Sequence, residues 1–192
     1  MKVGKTFAVK FRRRRSQKTN FKKRLGLLKS KKTRLVVRRT NANNIVQLIN
    51  IVKGNDATVI GINSKKLSEF GWNGNTKNIS AAYLTGLLAG KMALKKNIES
   101  AVLDIGLNTP IKGSRLFAAL KGVIDSGIQV NAGEEAFPSD ERISGKHIED
   151  YAKKLSEEEL QKKFGAIIKK GFNVKEFSKE FEKVKTNILN LK

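Results

Sequence analysis

The chain has 192 residues, a formal net charge of +23, 39% hydrophobic residues, no cysteine and a single histidine, His147. These totals exclude a disulfide scaffold, a thiolate nucleophile and a Cys-based zinc site, and they argue against a His-rich metal site or a Ser-His-Asp relay. The charge is unevenly placed: residues 1–55 carry 18 Lys and Arg and no Asp or Glu, whereas the remaining residues carry 22 basic and 17 acidic side chains. Such a segment repels itself unless a polyanion neutralises it, and nucleic acid is the expected partner.

Residues 1–31 read as a basic arm followed by a helix. Lys2, Lys5, Lys10 and the run Arg12-Arg13-Arg14-Arg15 sit among isolated Phe7, Val9 and Phe11 with no sustained period. The arm is therefore expected to order only on its partner. A nuclear-import signal and a polybasic membrane anchor are the other readings of the arginine run. The anchor lacks a second signal, since Met1-Lys2 offers no glycine for acylation. From Thr19 the pattern turns helical: Phe21, Leu25 and Leu28 form a narrow apolar seam, with Ser16 or Thr19 as cap.

Residues 32–131 read as an α/β domain of order β-β-β-α-β-α-β. Residues 34–39 and 45–52 are strand-like β-branched runs, and a Lys53-Gly54-Asn55-Asp56 turn leads to a third strand at 57–62. The three should form an antiparallel meander. Arg34, Val36 and Arg38 share one strand face, so an exposed sheet face bearing guanidinium groups is expected, suited to phosphate contact. A short helix at 64–70 ends at Gly71. Trp72, in the polar loop that follows, suits an RNA or partner contact as well as a core anchor.

Ser80 is the expected cap of a helix to about Lys96, whose Gly86 and Gly90 allow close approach to a sheet. Tyr83 and Phe21 both sit on apolar seams and are expected in the core. The apolar stretch 81–90 is far short of the ~20 residues that span a bilayer, so a soluble, cytoplasmic chain is expected. Ala101 to Gly106 reads as a buried parallel strand, 113–125 as a helix stopped by Gly127, and 128–130 as a last short strand. Lys112-Gly113-Ser114-Arg115 opens that helix and makes a weak phosphate-site signal.

Residues 132–192 carry no strand pattern and read as a helical extension. Ser156 to Glu159 and Asn173 to Glu176 have capping-box spacing, and Val174, Phe177, Phe181, Val184 and Ile188 make a helical stripe. Glu69, Asp104 and Asp125 are the only carboxylates placed for a metal-dependent nuclease. The first strand carries none, and Asp104 is expected to be hydrogen-bonded structure. His147 lacks companion ligands, so neither metal nor cofactor is expected.

Several of these segments together resemble a known family. Phe11 to Arg15, Lys18-Thr19-Asn20-Phe21 and Lys31 to Arg38 are similar to the start of the universal large-subunit ribosomal protein that binds 5S rRNA, the family numbered eighteen, whose eukaryotic member is numbered five. Glu69-Phe70-Gly71-Trp72, Ala82 to Gly90, Leu103 to Leu107 and Gly145 to Ile148 fit as well. Many members have Asp-Tyr where this chain has Asn20-Phe21. The resemblance covers residues 7 to about 154, and the long arm and tail look archaeal or eukaryotic.

The resemblance implies a non-catalytic constituent of the central protuberance, with a ribonuclease-H-like topology. Its partners would be 5S rRNA, large-subunit rRNA and neighbouring ribosomal proteins, with no membrane and no small-molecule substrate. The expected RNA-binding residues are Lys10, Phe11, Arg12, Arg13, Arg14, Arg15 and Lys18 in the arm, and Thr19, Asn20, Phe21, Lys22, Lys23 and Arg24 at the first helix. Lys32, Arg34, Arg38 and Asn41 around the first strand, Trp72, and Lys112, Ser114 and Arg115 complete the set. The rival readings are a metal-dependent nuclease on the same fold and a non-specific nucleic-acid-compacting protein.

Overall fold

The structure, a computed structural model, describes residues 8–191, so Lys2, Lys5 and Phe7 of the arm lie outside the described residues. Two short helices, α1 (Arg12–Arg15) and α2 (Phe21–Lys29), precede β1 (Thr33–Arg39), β2 (Asn44–Val52) and β3 (Asn55–Asn63). The three strands form the expected meander, and β4 (Ala101–Asp104) joins β1 in parallel to give the order β3-β2-β1-β4. Lys53 and Gly54 both take positive φ, 50° and 81°, the twist that a two-residue hairpin requires. This is an α/β fold on one mixed sheet.

The expected fifth strand at 128–130 is not formed. One parallel bridge joins Ser100 to Gln129, with two backbone bonds, before the chain leaves the sheet for a 3-10 turn at Glu134–Ala136. The helix expected at 64–70 is likewise 3-10 (Ser64–Phe70), closed by Gly71 at φ 93°.

One sheet face is covered by α3 (Ile79–Leu94) and α4 (Arg115–Asp125). Leu35, Leu48 and Ile60 make one row across the strands, Val37, Val46 and Ile62 the next, and all six are core. The cap of α3 is Asn78 rather than Ser80: its side chain accepts from the Ala81 N–H at 2.7 Å, and Ser80 lies buried inside the first turn. Asn78 wins because the buried Asn44 amide holds the same loop, donating to the Thr76 and Asn78 carbonyls. Gly86 and Gly90 face α4, not the sheet. A Cβ at Gly86 would lie 2.0 Å from the Ala119 carbonyl oxygen, and one at Gly122 of α4 would lie 2.1 Å from that of Tyr83. Backbone against backbone sets this crossing.

The extension folds as α5 (Asp140–Ser144), α6 (Lys146–Lys153), α7 (Glu157–Ile168) and α8 (Phe177–Leu189). Ser156 makes the expected reciprocal capping box with Glu159. Asn173 instead caps a 3-10 turn, Val174–Glu176, by accepting from the Lys175 N–H; its own amide donates to Glu176, which is therefore not available to close a box. The predicted stripe from Val174 to Ile188 is buried throughout. Phe181 packs on Tyr83 of α3 at 5.7 Å, so the extension shares the core of the sheet domain. Glu149 of α6 accepts from Lys153 and from the Ser178 N–H at the start of α8, and these bonds hold its carboxyl down to about 2.

Replacing Gly122 with Ala must push α3 and α4 apart, because the blocking atoms are backbone. Denaturant unfolding should show a loss of about 1–3 kcal/mol, the usual cost of overpacking, and an unchanged midpoint would contradict the close crossing.

Candidate nucleic-acid interface

The opposite face of the sheet is not covered by α3 or α4. Together with the α1–α2 segment it encloses an open cleft of about 1060 Å³, lined by Arg13, Lys18, Lys23 and Arg24 from the arm side and by Arg34, Val36, Arg38, Gln47 and Asp104 from the sheet. Parallel pairing of Val36 with Asp104 puts that carboxylate on the same face as Arg34 and Arg38. The β2–β3 ladder brings Asp56 to the other flank.

The result is a chain of five charges. Arg24 of α2 grips Asp56 with two hydrogen bonds of 2.8 Å. Arg34 bonds Asp56 at 2.6 Å and Asp104 at 3.1 Å. Arg38 bonds the Asp104 carboxylate at 3.0 Å and its carbonyl at 2.6 Å. The Gly106 N–H adds a 2.8 Å bond to Asp104. Asp56 is held below the ordinary carboxylate range, first by the Arg24 hydrogen bond and then by Arg34, against the opposing effect of burial. Arg24 is raised in turn by the same bond.

This corrects the expectation of an exposed guanidinium face. Arg34 is only 3% exposed, and burial of a charge requires partners, so its guanidinium is committed to Asp56 and Asp104. Arg38 is also paired but remains half-buried at the cleft. Asp104 is the structural carboxylate expected. Asp56 looked like a turn residue in the sequence, and only the strand register exposes its role.

Trp72 is corrected as well. It is 2% exposed, with Phe172 and Phe177 edge-on at 5.3 and 5.5 Å. Its Nε1 donates to the Asn75 carbonyl at 3.3 Å. The indole is a core anchor with no face open to a base. Phe21 departs in the other direction: the α2 seam buries nothing fully, and Phe21 is 37% exposed. The cap of α2 is Asn20, which accepts from the Lys23 N–H at 3.0 Å. Thr19 accepts instead from Arg13 Nε at 2.8 Å, folding α1 back toward α2.

The remaining residues lie where charge or polarity is reachable. Lys10, Arg12, Arg14, Arg15, Lys22, Lys32 and Asn41 are exposed, Asn41 in the loop from β1 to β2. Around α4, Lys112 pairs with Glu135 at the surface. Arg115 donates to the Lys77 carbonyl at 2.7 Å, and Ser114 is the N-cap without a side-chain capping bond. The carboxylates of a hypothetical nuclease do not converge: Asp104 is engaged by arginines, and Asp125 accepts from the buried Tyr83 hydroxyl at 2.8 Å. Among the described residues no group of three or more His, Asp or Glu is placed to hold a metal. No helix there is long and apolar enough to cross a membrane.

Fold and cleft thus define a basic α/β protein that offers a polyanion a cationic surface. A family model described as "Ribosomal large subunit proteins 60S L5, and 50S L18" matches residues 5–100. The large ribosomal subunit protein uL18 of Methanothermobacter thermautotrophicus is 45% identical over 188 residues, covering 98% of both chains. Those of Methanosphaera stadtmanae and Methanobrevibacter smithii are 44% and 43% identical, over 98% of this chain and 97% of theirs. The chain belongs to this family of large-ribosomal-subunit proteins, a family of structural proteins rather than enzymes. The likeness takes in the C-terminal extension, beyond residues 7 to 154 where the family motifs lie.

Arg24→Ala isolates the docking of α2, since Asp56 keeps Arg34. Amide exchange in α2 should rise while global stability changes by less than about 1 kcal/mol, as for a surface ion pair. Because the Asp56 carboxyl is depressed, docking should be complete above the ordinary carboxylate range and fade as pH falls below it. Protection of α2 that ignores both changes would contradict the latch. Asp104→Ala, which leaves the buried Arg34 with Asp56 alone and its Nη1 without an acceptor, should cost about 1–3 kcal/mol.

Proposed function

We propose that the protein holds 5S rRNA in the central protuberance of the large subunit and anchors it to large-subunit rRNA and to neighbouring ribosomal proteins. It acts on cytoplasmic ribosomes without catalysis. The observation that carries this reading is the distribution of unpaired cations. Among the described residues, sixteen Lys and Arg lie between residues 8 and 55, and only Arg24, Arg34 and Arg38 are within ion-pair distance of a carboxylate. The rest project from the arm, α1, α2 and the ends of β1 and β2.

The division of labour follows from the chemistry. Arg12 to Arg15, Lys18, Lys22 and Lys23 supply phosphate contacts, which set affinity and orientation but carry little sequence information. Shape and unpaired bases supply discrimination for a folded RNA. Arg34 contributes indirectly, by holding the platform that carries Arg38. Trp72 contributes by fixing the core.

If about 6–10 side chains neutralise phosphates, affinity for 5S rRNA should fall roughly 10³–10⁵-fold between 50 and 200 mM salt. Alanine at Arg12 to Arg15 should weaken 5S rRNA and an unrelated RNA by similar factors. In competition at fixed salt, excess unrelated RNA or duplex DNA should fail to displace 5S rRNA from the intact protein. Equal displacement by DNA would favour the non-specific compacting reading instead.

A further inference from the structure

Two aromatic rings of the arm stand uncovered at one corner of the molecule. Phe11 is 78% exposed and Phe21 37%. Their ring centroids are 6.1 Å apart, with planes tilted by 46°. The placement is built in. Phe11 is the N-cap residue of α1 and Phe21 the first residue of α2. The Arg13–Thr19 bond and the Asn20 cap fold the intervening turn so that the two meet.

Exposed rings in water represent apolar surface without an occupant. The surroundings restrict what that occupant is. Every charged side chain from residue 8 to residue 55 is Lys or Arg, so a second copy of this chain would bring like charge to the same corner. An apolar protein helix would desolvate those cations without pairing them. The occupant must present a flat π face and negative charge together, which an unpaired nucleotide does and a base-paired one, with its faces stacked inside a helix, does not.

We propose that Phe11 and Phe21 form a stacking platform for unpaired bases, with the flanking Arg12 and Lys22 on the adjoining phosphates. This rests on the RNA-binding reading and sharpens it: the arm selects looped or single-stranded RNA over duplex. The 46° tilt excludes a parallel sandwich, so each ring takes its own base. Phe11 and Phe21 are then the residues of the arm that discriminate, beside arginines that do not.

The test compares the intact protein with Phe11→Leu/Phe21→Leu, which keeps apolar volume but loses the flat face, and with Phe11→Tyr/Phe21→Tyr, which keeps it. Thermal unfolding first verifies that each variant retains the wild-type domain. Binding is then measured at one salt concentration to 5S rRNA, to a hairpin with an unpaired loop, and to a blunt duplex of equal length. The leucine variant should lose roughly 5- to 150-fold on the hairpin for each stacked base, with little loss on the duplex, and the tyrosine variant should match wild type. Hairpin affinity unchanged by leucine overturns the platform, as does an equal loss on hairpin and duplex, which would mean that the rings only shape the arm. Failure of the 5S rRNA assignment looks different: wild type would then show no preference for 5S rRNA over the hairpin, while the leucine–tyrosine contrast on the hairpin still decides the platform.

Discussion

Two carboxylates make the architecture possible. Three guanidiniums, from Arg24, Arg34 and Arg38, converge on a sheet face and a helix that meets it, and Arg34 is removed from water. An unpaired buried charge would cost several kcal/mol, a large part of the domain's margin of stability. Asp56 and Asp104 resolve this from opposite flanks of β1. A buried ion pair adds little net stability over an apolar pair of the same shape. Its contribution here is geometric: only one register of β3 and β4 brings both carboxylates to Arg34, and only one placement of α2 brings Arg24 to Asp56.

That constraint sorts the basic residues by role. Arg34 and Arg38 of β1 and Arg24 of α2 are satisfied within the protein and line the cleft. The other charges of α1 and α2 have no carboxylate within ion-pair distance, and they are the ones left for a polyanion. The acid-free first 55 residues therefore contain both a paired, structural set and an unpaired set, and Asp56, the first acidic residue in the chain, marks their junction. The helical extension holds the other side of the domain. Phe172 and Phe177 close over Trp72, and Phe181 closes over Tyr83, so α3 is packed between the sheet and the tail.

Much of this was legible in the sequence wherever local chemistry decides. The meander, the parallel strand at Asp104, the Ser156 capping box and the α8 stripe each follow from spacing over a few residues. What stayed hidden depends on distant partners. Nothing near Trp72 announces Phe172 and Phe177, about a hundred residues later, so the polar loop left a contact and a core anchor equally open. Nothing near Arg34 announces Asp56, because their meeting depends on a register shift between Leu48 and Ile49. Asn78 displaced Ser80 as a cap through the buried amide of Asn44. The family motifs pointed to the partner class, whereas the split of arginines into neutralised and free could only come from three-dimensional pairing.

The central claim is that the free cations of the arm and α2 are directed at one particular RNA. Its most direct test is the identity of the nucleic acid that accompanies the protein when it is gently purified, at low salt, from cells that make it together with its native ribosomal RNAs, after ribosomes have been removed. The account predicts 5S rRNA in near-equimolar amount, with other RNA and DNA at trace level. A heterogeneous mixture of RNAs, or fragments of DNA, in place of 5S rRNA would contradict it.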